Sequence, residues 1–265
     1  MNDTLPPLLA VGRTAEIFAW QEGRVLKLYR DWCPSNWVEE EAAIAAIVTQ
    51  AGIPAPRAFE IVEVAGRRGL IYERIDGLSM LLEMLRQPLK IAAFGRMLAD
   101  LHLEMHRQSA ADLPLQSEMV GGAIYNAKLL SDAQRAAALD ALRRLPPGDR
   151  LCHNDFHPEN VLISAKGPLV IDWMTARRGN PWADVARTHL LISIGRPLDT
   201  NPLKLLLLLV ARSVFVNAYH RRYREVKPDP EGQLQAWIPV MAAARLNENI
   251  KEETAALLAI VNKAF

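Results

Sequence analysis

The chain has 265 residues, half of them hydrophobic and 23% charged, with a formal net charge of +1. Such a composition excludes a disordered chain and suits one large domain or two small lobes. The near-neutral balance, with no basic stripe, argues against a nucleic-acid partner. Two cysteines, Cys33 and Cys152, imply no disulfide framework and fit a reducing compartment. The start of the chain lacks the pattern of a secretory signal, and no purely apolar run is longer than 205–211, far short of the ~20 residues that span a bilayer. The expectation is a cytoplasmic protein without a membrane partner; oligomeric state is left open.

In chain order, residues 14–20 and 24–29 read as short strands around the turn Gln21-Glu22-Gly23. In the second, Val25, Lys27 and Tyr29 share one face and Leu26 and Leu28 the other. Lys27 therefore stands mid-strand, where a charge needs a partner or water. Residues 37–50 read as a helix with glutamates near its start, stopped by Gly52-Ile53-Pro54. Strand patterns follow at 58–64 and 69–74, joined by residues 65–68. After Asp76-Gly77 helical patterns dominate, at 79–86, 89–107, 132–144, 183–194, 203–224, 234–250 and 254–264. The exception is 151–173, a polar loop followed by two strand patterns, 161–163 and 169–171. The expected architecture is α+β: a small lobe of antiparallel sheet plus helix over 1–75, a hinge near 73–77, and a larger, mainly helical lobe over 76–265.

The polar loop carries the densest chemistry. Asp155 and Asn160 stand five apart across a proline-containing turn, and Asp172 follows twelve residues later at the end of the second hairpin strand. A hairpin of that length brings Asn160 and Asp172 to one rim. There their oxygens suit hard Mg²⁺, with nucleotide phosphates and water completing its shell. Asp155 is then placed to accept, or orient, the proton of an attacking hydroxyl. Singly, each is as readily an Asx-turn or helix cap; the ordered set with apolar strands between is what points to chemistry.

The string His153-x-Asp155-x-x-x-x-Asn160, followed by Ile171-Asp172-Trp173, resembles the catalytic loop and metal-binding aspartate of the aminoglycoside phosphotransferase and choline kinase family, which has a protein-kinase-like fold. Other matches run in family order from about residue 10 to 190. Val25 to Tyr29 looks like the strand whose lysine contacts nucleotide phosphates. Glu41 falls where the family's helix glutamate pairs with that lysine, Tyr72 to Gly77 looks like the hinge, and Gly179 to Ala186 resembles the Gly-Asp-Pro-x-x-Asp-Leu-Ala stretch. The resemblance implies an ATP- and magnesium-dependent transfer of the γ-phosphate to a hydroxyl of a small molecule: an amino alcohol, sugar or aminoglycoside-like compound. Asp155 is implied as catalytic base, Asn160 and Asp172 as magnesium ligands, and Lys27 as the phosphate contact held by Glu41. Thr14, in a single-glycine loop, is either a phosphate donor or a plain turn residue. Asp184 is implied as a holder of the catalytic loop or of a helix start. Two other readings remain, a kinase-fold nucleotide-binding protein without turnover and an atypical protein kinase.

Asn154 stands where protein kinases have arginine, which argues against regulation through a phosphorylated activation loop. His102 and His106, four apart on a helix, have zinc-ligand spacing but no obvious third ligand, and apolar neighbours favour a structural role. His157 and Glu159 read as loop scaffolding, and Trp173, Trp182 and Trp237 as core rather than an aromatic wall. Residues 190–224 hold one acid, Asp199, which disfavours a polycationic acceptor unless acids at 225–253 line its site.

Overall fold

The computed structural model describes residues 6–194 and 202–265, the side chains of 202–204 excepted; Asp199 lies outside the described residues. Among them the chain opens with β1 (Leu8–Val11), β2 (Ala15–Ala19), β3 (Arg24–Tyr29), α1 (Trp37–Gln50), β4 (Ala58–Val64) and β5 (Arg67–Glu73). Strand β6 (Gly77–Ser79) precedes α2 (Met80–Arg86), α3 (Ile91–Arg107), α4 (Gln116–Asn126) and α5 (Asp132–Arg144). Four short strands follow: β7 (Arg150–Cys152), β8 (Val161–Ser164), β9 (Gly167–Val170) and β10 (Arg177–Gly179). The last helices are α6 (Pro181–Ile194), α7 (Pro202–Val226), α8 (Gln233–Arg245) and α9 (Lys251–Ala264). By their internal contacts these elements form two compact units, Met1–Met80 with Glu159–Met174, and Leu81–Pro158 with Thr175–Phe265.

The first unit holds an antiparallel sheet in the order β1-β2-β3-β5-β4 and a smaller sheet β6-β8-β9. The period-2 reading of β3 describes its two faces. Leu26 and Leu28 pack with Phe18 and Ile71 on one side, while Tyr29 packs with Ala15, Val38 and Leu70 on the side covered by α1. Lys27 projects on that second side. The β4–β5 turn is tighter than the sequence pattern implies: Ala65 (φ 51°) and Gly66 (φ 73°) form the whole connection, and β5 starts at Arg67. Two consecutive positive φ angles match the right-handed strand twist, and glycine supplies the second without strain.

The second unit is mainly helical. α3 packs along α7, and α8 lies against α6, α4, α5 and α9. Gly95 sets the α3–α7 approach, since a Cβ there would lie 2.6 Å from the Phe215 carbonyl oxygen. β7 and β10 pair antiparallel beside these helices. Helix α4 has no counterpart in the sequence pattern, because Gly121-Gly122 reads as a break; here α4 packs on α5 and α8, and that burial outweighs the ~1 kcal/mol cost of each glycine. The helical pattern over 234–250 ends earlier, at Arg245, passing through the 3-10 turn Leu246–Glu248 to a left-handed Asn249 (φ 55°). No described helix is long and apolar enough to cross a membrane.

Candidate functional site

In the first unit the mid-strand charge has its partners. Lys27 Nζ lies 2.7 Å from Glu41 Oε1 and 3.1 Å from Asp172 Oδ1. Burial alone would lower the lysine pKa, but the two carboxylates reverse this and hold it above its ordinary value, so Lys27 is a permanent cation. Glu41 is 2% exposed and is gripped from two further directions. Tyr72 Oη donates to Oε1 at 2.8 Å, and Tyr29 Oη donates to Oε2. With three donors on one carboxylate, a buried charge that would otherwise be costly is fixed in place. Burial and the Glu41 charge raise the Tyr72 pKa, so it remains a donor. Neither tyrosine is singled out by the sequence pattern, although both lie on the α1-covered face that the alternation of β3 and β5 defines.

Asn160 and Asp172 flank the β8–β9 hairpin, and the hairpin register confirms that they come to one end. Val161 pairs with Val170, and Ile171 N donates to the Asn160 carbonyl at 3.0 Å. Asp172 adopts a left-handed φ of 62°, a conformation aspartate tolerates better than most residues, and its side chain is half-exposed. Thr14 sits in the β1–β2 loop; its carbonyl accepts from Arg30 N at 3.0 Å and Cys33 Sγ at 3.3 Å.

In the second unit Asp184, fully buried on α6, organises the polar loop. Its Oδ2 accepts from His153 N (2.6 Å), His102 Nε2 (3.0 Å) and His106 Nε2 (3.3 Å), and its Oδ1 from Asn154 N (2.8 Å). The far nitrogens of the imidazoles meet Tyr219 Oη and Tyr223 Oη, each at 2.7 Å. Both pairings step forward by four, so α3 and α7 run in the same direction across this contact. Burial would raise the Asp184 pKa, but the histidines hold it well below the carboxylate range. Burial, with a second imidazole packed beside it, pushes His106 down to about 3. Asp184 is also the third ligand-type residue beside His102 and His106. Yet with the tyrosine hydroxyls donating to Nδ1 and Nε2–H donating to Asp184, every hydrogen bond is satisfied without an ion.

Gln116 is a support that sequence reasoning did not single out. Its Nε2 donates to Asn154 Oδ1 (2.7 Å) and its Oε1 accepts from Asn180 N (2.9 Å), over a Gly179 where a Cβ would collide with it at 2.1 Å. Thr175 Oγ1 donates to the His153 carbonyl at 2.7 Å, and Asn154 is left-handed (φ 64°). Asp155 itself stays 31% exposed. Burial would raise its pKa, but His157, Arg187 and His153 hold it down to about 2. It is therefore ionised throughout the physiological range. His157 lies against Asp155 at 3.8 Å, and Trp173, Trp182 and Trp237 are core residues.

The phosphotransferase enzyme family model matches residues 10–231, which include both polar centres. The chain belongs to that family. Solved structures share the fold. A thermostable variant of aminoglycoside phosphotransferase APH(4)-Ia, in ternary complex with AMP-PNP and hygromycin B, is 17% identical with a TM-score of 0.66, covering 97% of this chain and 92% of its own. A choline/ethanolamine kinase family protein from Mesorhizobium loti is 15% identical with a TM-score of 0.60, covering 98% and 85%. Amicoumacin kinase hAmiN, in complex with AMP-PNP, Ca²⁺ and Ami, is 14% identical with a TM-score of 0.62, covering 97% and 87%. No curated protein sequence matches the chain. The protein thus has the α+β, protein-kinase-like fold of the phosphotransferase family.

A buried histidine, His106, and a half-buried one, His220, make this phosphotransferase-family protein's stability sensitive to acid. His106 and His220, on different helices, both have pKa values pushed down to about 3. The native state keeps them neutral while the unfolded chain protonates near pH 6.5, so the unfolded state binds more protons between about pH 6.5 and 3. Unfolding free energy should therefore fall as pH drops through that window, by up to ~1.4 kcal/mol per pH unit for each histidine. Urea melts at pH 7, 6 and 5 read this slope, and His220→Gln should flatten it. An unchanged slope in the variant would contradict the assignment.

Proposed function

We propose that the protein transfers the γ-phosphate of ATP to a hydroxyl of a small molecule, using magnesium. The carrying observation is Lys27, a permanent cation held mid-strand between Glu41 and Asp172, in a chain that also keeps Asp155 ionised. Residues 1–75 act as the nucleotide-binding lobe and 76–265 as the catalytic and substrate-binding lobe. Lys27 neutralises charge on the phosphates and Glu41 fixes its position, with Thr14 contributing from the β1–β2 loop. Asn160 and Asp172 offer oxygen donors only, the donor type magnesium prefers, and so fit that ion. When bound, it would neutralise charge on the phosphate oxygens. Asp155 accepts or orients the proton of the acceptor hydroxyl; a pKa near 2 favours orientation, because so weak a base removes a proton only late in a loose transfer.

The acceptor carries few positive charges. Four of the six acids after residue 224 that a polycation would need are engaged within the protein. Glu225 pairs with Arg221 and Arg222, Asp229 caps the start of α8, and Glu248 and Glu253 pair with Arg187 and Arg245. An amino alcohol or a neutral hydroxyl compound fits better than an aminoglycoside. The test is ATP-dependent phosphate transfer across a panel of amino alcohols, sugars and aminoglycosides, read by product mass. Transfer to a monocation or neutral acceptor is expected. Preference for a polycation would overturn the acceptor class, and nucleotide binding with no transfer to any acceptor would favour a binding protein.

A further inference from the structure

Arg187 lies three residues beyond Asp184 on α6, so one helical face carries both to the polar loop. Its Nε donates to the Asn154 carbonyl at 3.2 Å, and one Nη lies 3.8 Å from Asp155 Oδ1. The same Nη donates to Glu248 Oε1. Glu248 in turn accepts from Arg245 Nη1 at 2.9 Å, and Arg245 grips both Glu253 oxygens at 2.5 and 2.7 Å. Alternating charges thus run from the loop through α6 and the turn after α8 to α9. The arginine side chains are only 12% and 5% exposed. A free arginine samples many rotamers; one tied this way presents its charge in a single place.

We propose that Arg187 is a positioning residue for Asp155, fixing the loop through the Asn154 carbonyl and keeping the carboxylate charged and oriented, with Glu248 restraining the guanidinium. This rests on the phosphotransfer reading above. At 3.8 Å the contact is too long for a hydrogen bond, so Arg187 acts on Asp155 by charge rather than by taking a lone pair. The groups that face Asp155 are His153 and His157 on its own loop, Arg187 from α6 and Arg245 at the end of α8. Arg187 reaches both the loop backbone and the carboxylate.

The experiment compares Arg187→Gln and Arg187→Lys with wild type in the full chain. The first readout is the ¹³C carboxyl titration of Asp155, assigned by its loss in Asp155→Asn. Removing an opposite charge at this range should raise the midpoint by roughly 1 unit in Arg187→Gln, and lysine should restore most of it. The second readout is kinetic. kcat should fall about 10- to 100-fold in Arg187→Gln with KM for ATP nearly unchanged, and the acid limb of kcat should move upward. Lysine should recover the pH profile but not the full rate, since it lacks the Nε donor to Asn154. An Asp155 midpoint that does not move, or a rate loss with an unshifted pH profile, overturns the proposal. If wild type transfers phosphate to no acceptor, the functional reading fails, and the carboxyl titration alone decides the role of Arg187.

Discussion

Asp155→Asn is expected to lower kcat by about 10²- to 10⁴-fold while leaving the fold and the KM for ATP nearly unchanged. The substitution keeps the size of the side chain and deletes its charge. An amide in that place does not take up a proton, and its uncharged oxygen is a weaker acceptor for the hydroxyl. The stability cost should be small, because Asp155 is partly exposed and the Arg187 guanidinium lies 3.8 Å away, a range at which a partly exposed ion pair contributes little. Lys27, Glu41 and Asp172 belong to the other compact unit and keep their mutual contacts whatever stands at 155. The measurement is single-turnover phosphate transfer, which isolates chemistry from product release, alongside a urea melt. A variant within threefold of wild type would remove Asp155 from the reaction. A variant that loses rate and several kcal/mol of stability together would make its role structural.

Much of this was legible because the chemistry sits where the chain is locally patterned. The alternation in β3 puts Lys27 mid-strand in need of a partner, while Glu41, on the helix beginning at Trp37, is pointed to as that partner by the family resemblance. The β8–β9 hairpin likewise brings Asn160 and Ile171 together through its register alone. What escaped is of another kind. Gln116 lies on a helix whose sequence contains Gly121-Gly122, and the helix exists because of what packs on it rather than because of its own propensity. Arg187, Glu248, Tyr219 and Tyr223 meet their partners over separations of 33 to 117 residues. No local pattern encodes such a meeting. His102 and His106 show the middle case: their spacing was visible, but their use depends on Asp184, 82 and 78 residues away.

Asp184→Asn is expected to cost about 3–5 kcal/mol, a large share of a typical domain's total stability. The reason lies in the count of donors. Asp184 offers acceptors only, and it meets four N–H groups: two from the loop backbone and two from imidazoles. Asparagine keeps one oxygen and turns the other position into an NH₂ that faces a donor. At least one backbone N–H of the loop or one imidazole then loses its partner in a fully buried place, and the negative charge that balances this cluster is gone. Because the backbone N–H groups belong to His153 and Asn154, the residues just before Asp155, the same change should displace the loop and depress turnover as well. Urea unfolding at pH 7 measures the first effect, with Glu225→Gln as a surface control expected to change stability by less than ~1 kcal/mol. Should Asp184→Asn fail to fold, Tyr223→Phe gives a graded version. It strips one hydroxyl from His106 Nδ1 and should cost about 1–3 kcal/mol with the fold kept. Equal, small effects of Asp184→Asn and Glu225→Gln would mean that the histidine–aspartate–tyrosine cluster does not hold the loop, and that its other partners, Gln116, Thr175 and Arg187, suffice.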